Sequence, residues 1–171
     1  EQVQRAGLAS GDGVFPYAIG RLVLWVRKDL GLDPGRRGLT LLKEPAVRRI
    51  AIANARVAPY GRAAEAALGH AGLLEALRPK LVFGENIAQA AQYLQTGAAD
   101  AGLVSFSQAS APALQATGLV WTVPQEAYPP LRQGGVILKA ARNPAAAKAF
   151  RAFLLGAEGQ AILARHGFGK P

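Results

Sequence analysis

The chain has 171 residues, half of them hydrophobic, and a formal net charge of +9 from 20 Lys and Arg against 11 Asp and Glu. This length suffices for one ordinary domain or for two small lobes with a real core, so we do not expect disorder. The chain contains no cysteine, which excludes a disulfide framework, a zinc knuckle and a thiol nucleophile.

The positive charge could attract nucleic acid, an acidic membrane surface or small anions. The basic residues are dispersed, however, and adjoin one another only in pairs, of which 36–37 and 48–49 are pairs of arginines. The few aromatic residues are not interleaved with them, as a platform for stacking bases requires. We therefore expect no nucleic-acid partner. No apolar run approaches the roughly 20 residues of a membrane span.

The first part of the chain predicts one short helix and one long apolar segment. A helix is predicted to end at Gly7, and residues 11–13 read as a turn. The apolar run 15–26 predicts one bent strand or two short strands broken near Gly20. Arg21 is the only charge in that run, and it belongs either to an edge or bent core strand or to the surroundings of a ligand.

Three short runs, at 50–53, 80–83 and 101–105, predict strands, and the first of them, apolar and β-branched at two positions, is typical of a strand covered on both faces in a parallel sheet. The first two are each followed by a turn and a helical pattern, beginning near Pro59 and Asn86. This order predicts right-handed parallel β/α units. In such sheets, ligands bind beyond the carboxyl ends of the strands.

The two turns before these helices leave helix N-termini open. Pro59 suits the first helical position, and the amides of Tyr60 and Gly61 then have no acceptor inside the helix. Asn86 opens a capping-box pattern. Two such N-termini suit a tetrahedral or carboxylate anion. The alternative is that both are simply well-capped helices.

The remaining candidate side chains are few. Ser105 ends the third strand and is either an N-cap, which we favour, or a hydroxyl that reaches a bound anion. His70 and His166 stand alone in the sequence, so we expect them on the surface rather than in catalysis or metal ligation. No nucleophile elbow, phosphate loop or nucleotide fingerprint is present. We therefore expect no enzyme, no catalytic residue, no metal and no cofactor.

Beyond the third strand, the chain predicts two further strands and two amphipathic helices. The strands are at 120–124 and 133–138, and the helices follow Pro144 and cover 158–166.

From about Gly7 to Pro171, several sequence blocks together resemble the periplasmic molybdate-binding protein of ABC importers, in that family's order. The blocks are YAIGRLVLW at 17–25, IAIAN at 50–54, APYGRAAE at 58–65, GENI at 84–87, ADAG at 99–102 and AILARHGF at 161–168.

The resemblance implies an α/β, periplasmic-binding-protein-like (type II) fold that closes on molybdate or tungstate and delivers it to a membrane permease. The expected location is periplasmic or extracellular, with any export signal removed before the first residue. Residues 1–17 would be a remnant of the first lobe. Residues 18–134 would form an essentially complete second lobe with hinge strands near both ends. Residues 135–171 would be the return strand and C-terminal helices of a first lobe that is only partial.

The resemblance also implies the site. In the family, the second lobe contributes main-chain N–H groups from two helix starts, which match Tyr60 and Ile87 here. Some members add a tyrosine hydroxyl at the position of Ser105, so Ser105 is a less certain ligand, and the Tyr60 hydroxyl is a candidate substitute. The sequence does not choose among molybdate, tungstate and sulfate, because all three are tetrahedral dianions that differ mainly in size.

Members of that family carry a longer N-terminal part, which supplies small hydroxyl residues to the oxyanion. We therefore expect weak or absent affinity unless another chain or copy supplies that half of the site. We also expect self-association, because apolar side chains that normally pack against the missing part would be uncovered; they are Phe150, Phe153, Leu154, Ile162 and Leu163. The alternative function is a regulatory or interaction domain that has the same fold and senses a small anion.

Overall fold

The structure, a computed structural model, describes residues 2–171 except for the side chain of Asp12. The chain forms two compact units. The central unit is Arg21–Leu131, and the terminal unit combines the residues up to Gly20 with Arg132–Pro171. The predicted second lobe, 18–134, contains the whole central unit and extends slightly beyond it at both ends.

The strands and α-helices follow one another along the whole chain. The strands are β1 (Ala9–Gly20), β2 (Leu22–Arg27), β3 (Ile50–Ala53), β4 (Leu81–Gly84), β5 (Ala101–Ser105), β6 (Gly118–Thr122) and β7 (Leu131–Leu138). The helices are α1 (Gln2–Arg5), α2 (Pro34–Arg37), α3 (Pro59–His70), α4 (Leu74–Leu77), α5 (Ile87–Gln95), α6 (Phe106–Ala109), α7 (Pro112–Thr117), α8 (Pro144–Leu155) and α9 (Ala157–Arg165).

The central unit is built on a five-stranded sheet in the order β4-β3-β5-β2-β6. Strand β3 pairs in parallel with β4 and β5, as predicted for the β/α units. Strand β2 lies between β5 and β6 and runs antiparallel to both. The sheet is therefore mixed rather than parallel throughout, because the strand that enters the unit inserts beside β5.

Successive side chains of a strand point to opposite faces of the sheet, and helices cover both faces of this one. All four residues of β3 are buried. Ile50 and Ile52 pack in one core cluster with Leu68 of α3. Ala51 packs in a second cluster with Leu94 of α5. This two-sided burial confirms the prediction of a covered strand at 50–53, whereas Phe83 of β4 is 46% exposed.

A buried carboxylate holds the chain together where β3 and β5 begin and β2 ends. Asp100 is 5% exposed, and its Oδ2 accepts hydrogen bonds from the amides of Arg48 and Arg49 at 2.9 and 3.0 Å. Its Oδ1 lies 3.5 Å from Nη1 of Arg27. The carboxylate therefore holds the segment that enters β3 against the end of β2.

The terminal unit contains a two-stranded sheet of β1 and β7. The amide of Ile19 donates to the carbonyl oxygen of Gly169 at 2.9 Å, and Gly169 returns a bond of 2.7 Å. The guanidinium carbon of Arg151 lies 5.0 Å from the ring centre of Phe15. Helix α8 has no buried residue, and Phe150 is 61% exposed.

Two sequence-based predictions about the first strands have different outcomes. The apolar run 15–26 forms two strands, which belong to different sheets and are separated by Arg21. The predicted turn at 11–13 is wrong, because these residues lie inside β1. Gly13 has a φ of 65° there, so the glycine absorbs a local distortion without ending the strand.

Candidate anion-binding site

The candidate site lies at the carboxyl ends of the parallel strands β3, β4 and β5, which together form one edge of the central sheet. Strands β3, β4 and β5 run in the same direction, so Ala53, Gly84 and Ser105 lie at one edge. The amide of Asn54 donates to the carbonyl oxygen of Gly84 at 2.7 Å and ties the ends of β3 and β4 together. Leu22 pairs with Ser105, which brings the start of β2 to the same edge. Ligands of open α/β sheets bind at such edges.

Helix α3 starts at this edge with one open amide. Ala58 precedes the helix and its side chain forms no cap. The carbonyl oxygen of Ala58 accepts the amides of Gly61 and Arg62 at 3.1 and 3.2 Å. Among the residues that the structure describes, the amide of Tyr60 has no acceptor. The prediction of open amides is thus correct for Tyr60 and wrong for Gly61, whose N–H is taken up by a bond of the 3₁₀ type.

A glycine lets this helix approach the strand closely. A Cβ at Gly61 would collide with the carbonyl oxygen of Ala53 and lie 2.7 Å from the amide nitrogen of Ala55. Only glycine therefore fits where the first turn of α3 rests on the end of β3. This contact places the neighbouring Tyr60 amide beside the strand end.

Helix α5 also presents open amides. Oδ1 of Asn86 accepts a hydrogen bond from the amide of Gln89 at 3.0 Å, and Oε1 of Gln89 accepts one from the amide of Glu85 at 2.6 Å. The predicted capping box forms, but the Gln89 side chain reaches Glu85 instead of Asn86 itself. The amides of Ile87 and Ala88 have no acceptor within residues 2–171. Ala88 is a donor that the sequence-based prediction omits, although the first amides of any helix are candidates.

Ser105 is used mainly as a cap. It is 3% exposed, and its Oγ accepts a hydrogen bond from the amide of Gln108 at 3.1 Å. The same Oγ lies 3.1 Å from Oγ of Ser107, with either atom as donor. The amide of Phe106 donates to the carbonyl oxygen of Arg21 at 2.9 Å. The prediction that Ser105 is an N-cap is confirmed, and its contact with an anion stays a prediction.

The Tyr60 side chain packs against the core, half-buried, in the cluster that contains Tyr128. Burial raises the pKa of the Tyr60 phenol to about 12, with a smaller contribution from Tyr128. The phenol is therefore protonated at neutral pH and able to donate a hydrogen bond. Tyr128 is buried, and its hydroxyl oxygen accepts a hydrogen bond from the amide of Leu22 at 3.0 Å.

The nearest cationic side chains in the sequence are two arginines. The side chain of Arg62 donates from Nη1 to the carbonyl oxygen of Ala55 at 3.3 Å. Arg56 is exposed, and its amide donates to Oδ1 of Asn54 at 3.0 Å. The segments 58–62 and 84–89 contain no lysine. The open donors are therefore neutral amides at the positive ends of two helix dipoles.

The other candidate residues form no cluster, although Arg21 directly precedes Leu22 at this edge. His70 and His166 are exposed, as predicted, and so is Arg21. The described part of the chain holds no group of three or more His, Cys, Asp and Glu residues placed to bind a metal ion.

No described helix combines the length and the apolar character needed to cross a membrane.

The sequence matches the family model of bacterial extracellular solute-binding proteins over residues 1–169. The chain belongs to this family. It is 38% identical over 169 residues to the molybdate-binding protein ModA of Azotobacter vinelandii, covering 99% of this chain and 66% of that protein. It is also 38% identical over 165 residues to the ModA of Rhodobacter capsulatus, covering 95% and 62%. The chain thus spans slightly less than two thirds of the length of these curated relatives.

The solved structures agree with the sequence comparisons. This solute-binding protein matches the structure of the periplasmic molybdate-binding protein of A. vinelandii with a TM-score of 0.86 and 34% sequence identity. The match covers 99% of this chain and 73% of the other. The resemblance to molybdate-binding proteins and the α/β, periplasmic-binding-protein-like fold are therefore confirmed.

Proposed function

We propose that the chain binds a tetrahedral oxyanion, molybdate or tungstate, as the solute-binding component of an ABC importer. The main support is the open amides of Tyr60 and Ile87. They lie in the first turns of α3 and α5, the helices that follow the neighbouring parallel strands β3 and β4. Ala88 adds a further donor. Helix N-termini favour a dianion through their unpaired N–H groups and dipoles. The 38% identity to two molybdate-binding proteins supports the same ligand.

Neutral donors suit a transport protein, because a cradle of amides releases its anion more readily than a clamp of charged side chains does. Molybdate and tungstate have the same charge and shape, so we propose that both bind. The smaller sulfate ion would meet the same amides at longer distances and bind less tightly.

The test is a titration of the ¹⁵N-labelled chain with molybdate, followed through its amide resonances, because this method detects weak binding. We expect the Tyr60, Ile87 and Ala88 amides to shift together and to saturate. Sulfate at matched ionic strength is the control and should require a higher concentration. Saturating shifts that leave these three amides unchanged would overturn the proposal, and so would their failure to respond at millimolar molybdate.

The partner and the location follow from the same proposal. A solute-binding component delivers its ligand to an ABC permease, and we place the protein in the periplasm or outside the cell. The relatives with 38% identity are binding proteins, which favours transport over a regulatory or interaction domain. Molybdate uptake by vesicles that contain the permease, with and without the chain, is the direct assay.

We also propose that the chain self-associates through the exposed apolar surface of α8. Phe150, Phe153 and Leu155 are 61%, 39% and 42% exposed there. Exposed apolar patches of this kind mark interaction surfaces. Phe150→Gln should lower the sedimentation coefficient toward that of a monomer, whereas Val120→Gln, at a site 39% exposed in the central unit, should not. A wild-type chain that stays monomeric at every concentration would contradict this.

A further inference from the structure

Two serine hydroxyls meet at the sheet edge that carries the candidate anion site. Ser105 ends β5 at this edge, and Ser107 lies in the first turn of α6. Their Oγ atoms lie 3.1 Å apart, and either atom could donate to the other. The direction of this hydrogen bond decides which serine keeps a free O–H group for a ligand.

Burial decides the direction of the bond. The Oγ of Ser105 already accepts the amide of Gln108 at 3.1 Å, and Ser105 is 3% exposed. If Ser107 donated to it, the Ser105 proton would have no acceptor among the residues that the structure describes. A buried donor without an acceptor costs free energy. Ser105 therefore donates the proton, and Ser107 accepts it.

Ser107 is left with an uncommitted hydroxyl proton. Ser107 is less buried than Ser105, and in the described part of the chain its Oγ has no hydrogen-bond partner other than Ser105. The hydrogen bonds then run in one direction, from the Gln108 amide to Ser105 and from Ser105 to Ser107. Hydrogen bonds in such a chain polarise one another, so the last O–H becomes a stronger donor.

The start of α6 also adjoins the start of α5. The strands before these helices, β4 and β5, end at the same sheet edge on either side of β3. Helices α5 and α6 contact each other, and their first residues, Ile87 and Phe106, pack against the same core cluster. The hydroxyl of Ser107 therefore belongs to the same corner of the edge as the open amide of Ile87.

We propose that Ser107, rather than Ser105, supplies the hydroxyl that binds the oxyanion. This inference rests on the proposed function, because it takes the same ligand at the same site. A deprotonated oxyanion can only accept hydrogen bonds, so it pairs with the free O–H of Ser107 as well as with the amides of Tyr60 and Ile87. Ser105 is a positioning residue, which holds the Oγ of Ser107 while it caps α6.

The test compares serine variants in titrations of the ¹⁵N-labelled chain with molybdate, followed at the Tyr60 and Ile87 amides. Ser107→Ala should weaken the affinity about ten-fold, as for the loss of one hydrogen bond to a charged group. Ser107→Thr keeps a hydroxyl and should recover most of that affinity. The matched control is Ser110→Ala: the Oγ of Ser110 donates to the carbonyl oxygen of Phe106 at 2.8 Å, so its removal should leave the affinity unchanged. Urea midpoints confirm that the variants are folded.

A double variant tests whether Ser105 acts through Ser107. Ser105→Ala should weaken molybdate binding in the wild-type background, and it should have no further effect on the affinity of Ser107→Ala. A purely structural role of Ser105 would lower the affinity equally in both backgrounds, because coupling appears only between groups that act together. Equal losses would therefore contradict the positioning role.

Three results would overturn the assignment of Ser107: normal affinity of Ser107→Ala, an equal loss with Ser110→Ala, or a loss that Ser107→Thr does not recover. The wild-type titration separates this inference from the proposed function. If the wild-type amides respond and Ser107→Ala binds equally well, only the role of Ser107 is wrong. If the wild-type amides fail to respond at millimolar molybdate, both the proposed function and the role of Ser107 are wrong.

Discussion

The hydroxyl oxygen of Tyr128 accepts a hydrogen bond from the backbone amide of Leu22 at 3.0 Å, across 106 positions of sequence. Leu22 begins β2 and Tyr128 lies near the end of the central unit, so the bond joins the places where the chain enters and leaves that unit. We expect Tyr128→Phe to lower the free energy of unfolding by about 1 to 3 kcal/mol, because the buried N–H of Leu22 loses its acceptor.

Urea denaturation of the two proteins checks this value. The control is Tyr93→Phe, because the Tyr93 hydroxyl forms no hydrogen bond with the residues that the structure describes. This substitution should change the free energy of unfolding by no more than about 0.5 kcal/mol. Equal effects of the two substitutions would show that the bond to Leu22 contributes nothing of its own.

Asp100 and Asp29 both pair with Arg27 but differ in burial, with side chains 7% and 68% exposed. Asp100→Ala should destabilise the protein by about 3 kcal/mol, because the amides of Arg48 and Arg49 also lose their acceptor. Asp29→Ala should cost less than about 1 kcal/mol, although its contact with Arg27 is the shorter one. Thermal and urea unfolding measure both, and a larger effect at Asp29 would contradict the assignment of Asp100 as the structural partner.

Two glycines of α3 should respond oppositely to alanine. Gly61→Ala forces a Cβ against the carbonyl oxygen of Ala53, so we expect a loss of about 1 to 3 kcal/mol. Gly69 faces open space, so Gly69→Ala should be neutral or stabilise by up to about 1 kcal/mol through helix propensity. Calorimetric unfolding of both variants decides the point, and a stable Gly61→Ala protein would mean that α3 can move away from β3.

Tyr60 should make the free energy of unfolding fall as the pH becomes alkaline. Burial raises the pKa of the Tyr60 phenol in the folded protein to about 12 from its usual value of 10.0, so folding favours the neutral phenol. The stabilisation is complete below pH 10 and is lost as the pH rises from about 10 to about 12. Tyr60→Phe should lack this component, so the difference in unfolding free energy between the two proteins should narrow or reverse over that range. A constant difference from pH 9 to pH 12 would contradict it.

Ile87 offers a direct test of the proposed amide donors. Ile87→Pro removes the N–H at the first helical position, where proline is tolerated, and Asn86 before it is already extended, with φ −145° and ψ 176°. We expect the affinity for molybdate to fall about ten-fold, as for the loss of one hydrogen bond to a charged group. Ile87→Ala keeps the amide and loses the side-chain packing, so its affinity should stay close to that of the wild type. Amide titrations of both variants provide the dissociation constants.

Local patterns were sufficient to predict the elements of the candidate site. The buried strand at 50–53, the start of α3 at Pro59 and the cap at Asn86 each depend on a few adjacent residues, whose burial and capping chemistry is readable in sequence. The N-cap role of Ser105 belongs to the same class. Such features depend little on the rest of the chain.

Features that depend on distant residues could not be predicted in this way. The position of β2 between β5 and β6 is set by pairings between residues some eighty to a hundred positions apart. Local periodicity contains no information about such distant pairings. The partners of Asp100 and Tyr128 are also remote in sequence, for example Arg48 at 52 positions and Leu22 at 106 positions. The turn predicted at 11–13 failed for the same reason, since pairing within the sheet of β1 and β7 outweighs the local preference of two glycines for a turn.

The central unit is one uninterrupted stretch of chain, whereas the terminal unit combines residues that precede the central unit with residues that follow it. On a ribosome, residues 21–131 are therefore complete before the rest of β7 and the helices α8 and α9 have been made. The central unit can fold during synthesis, because domains fold as units from the N-terminal side. The residues of β1 must wait for their strand partner until β7 has been made, and a chaperone that binds nascent chains would meet β1 unpaired during that interval.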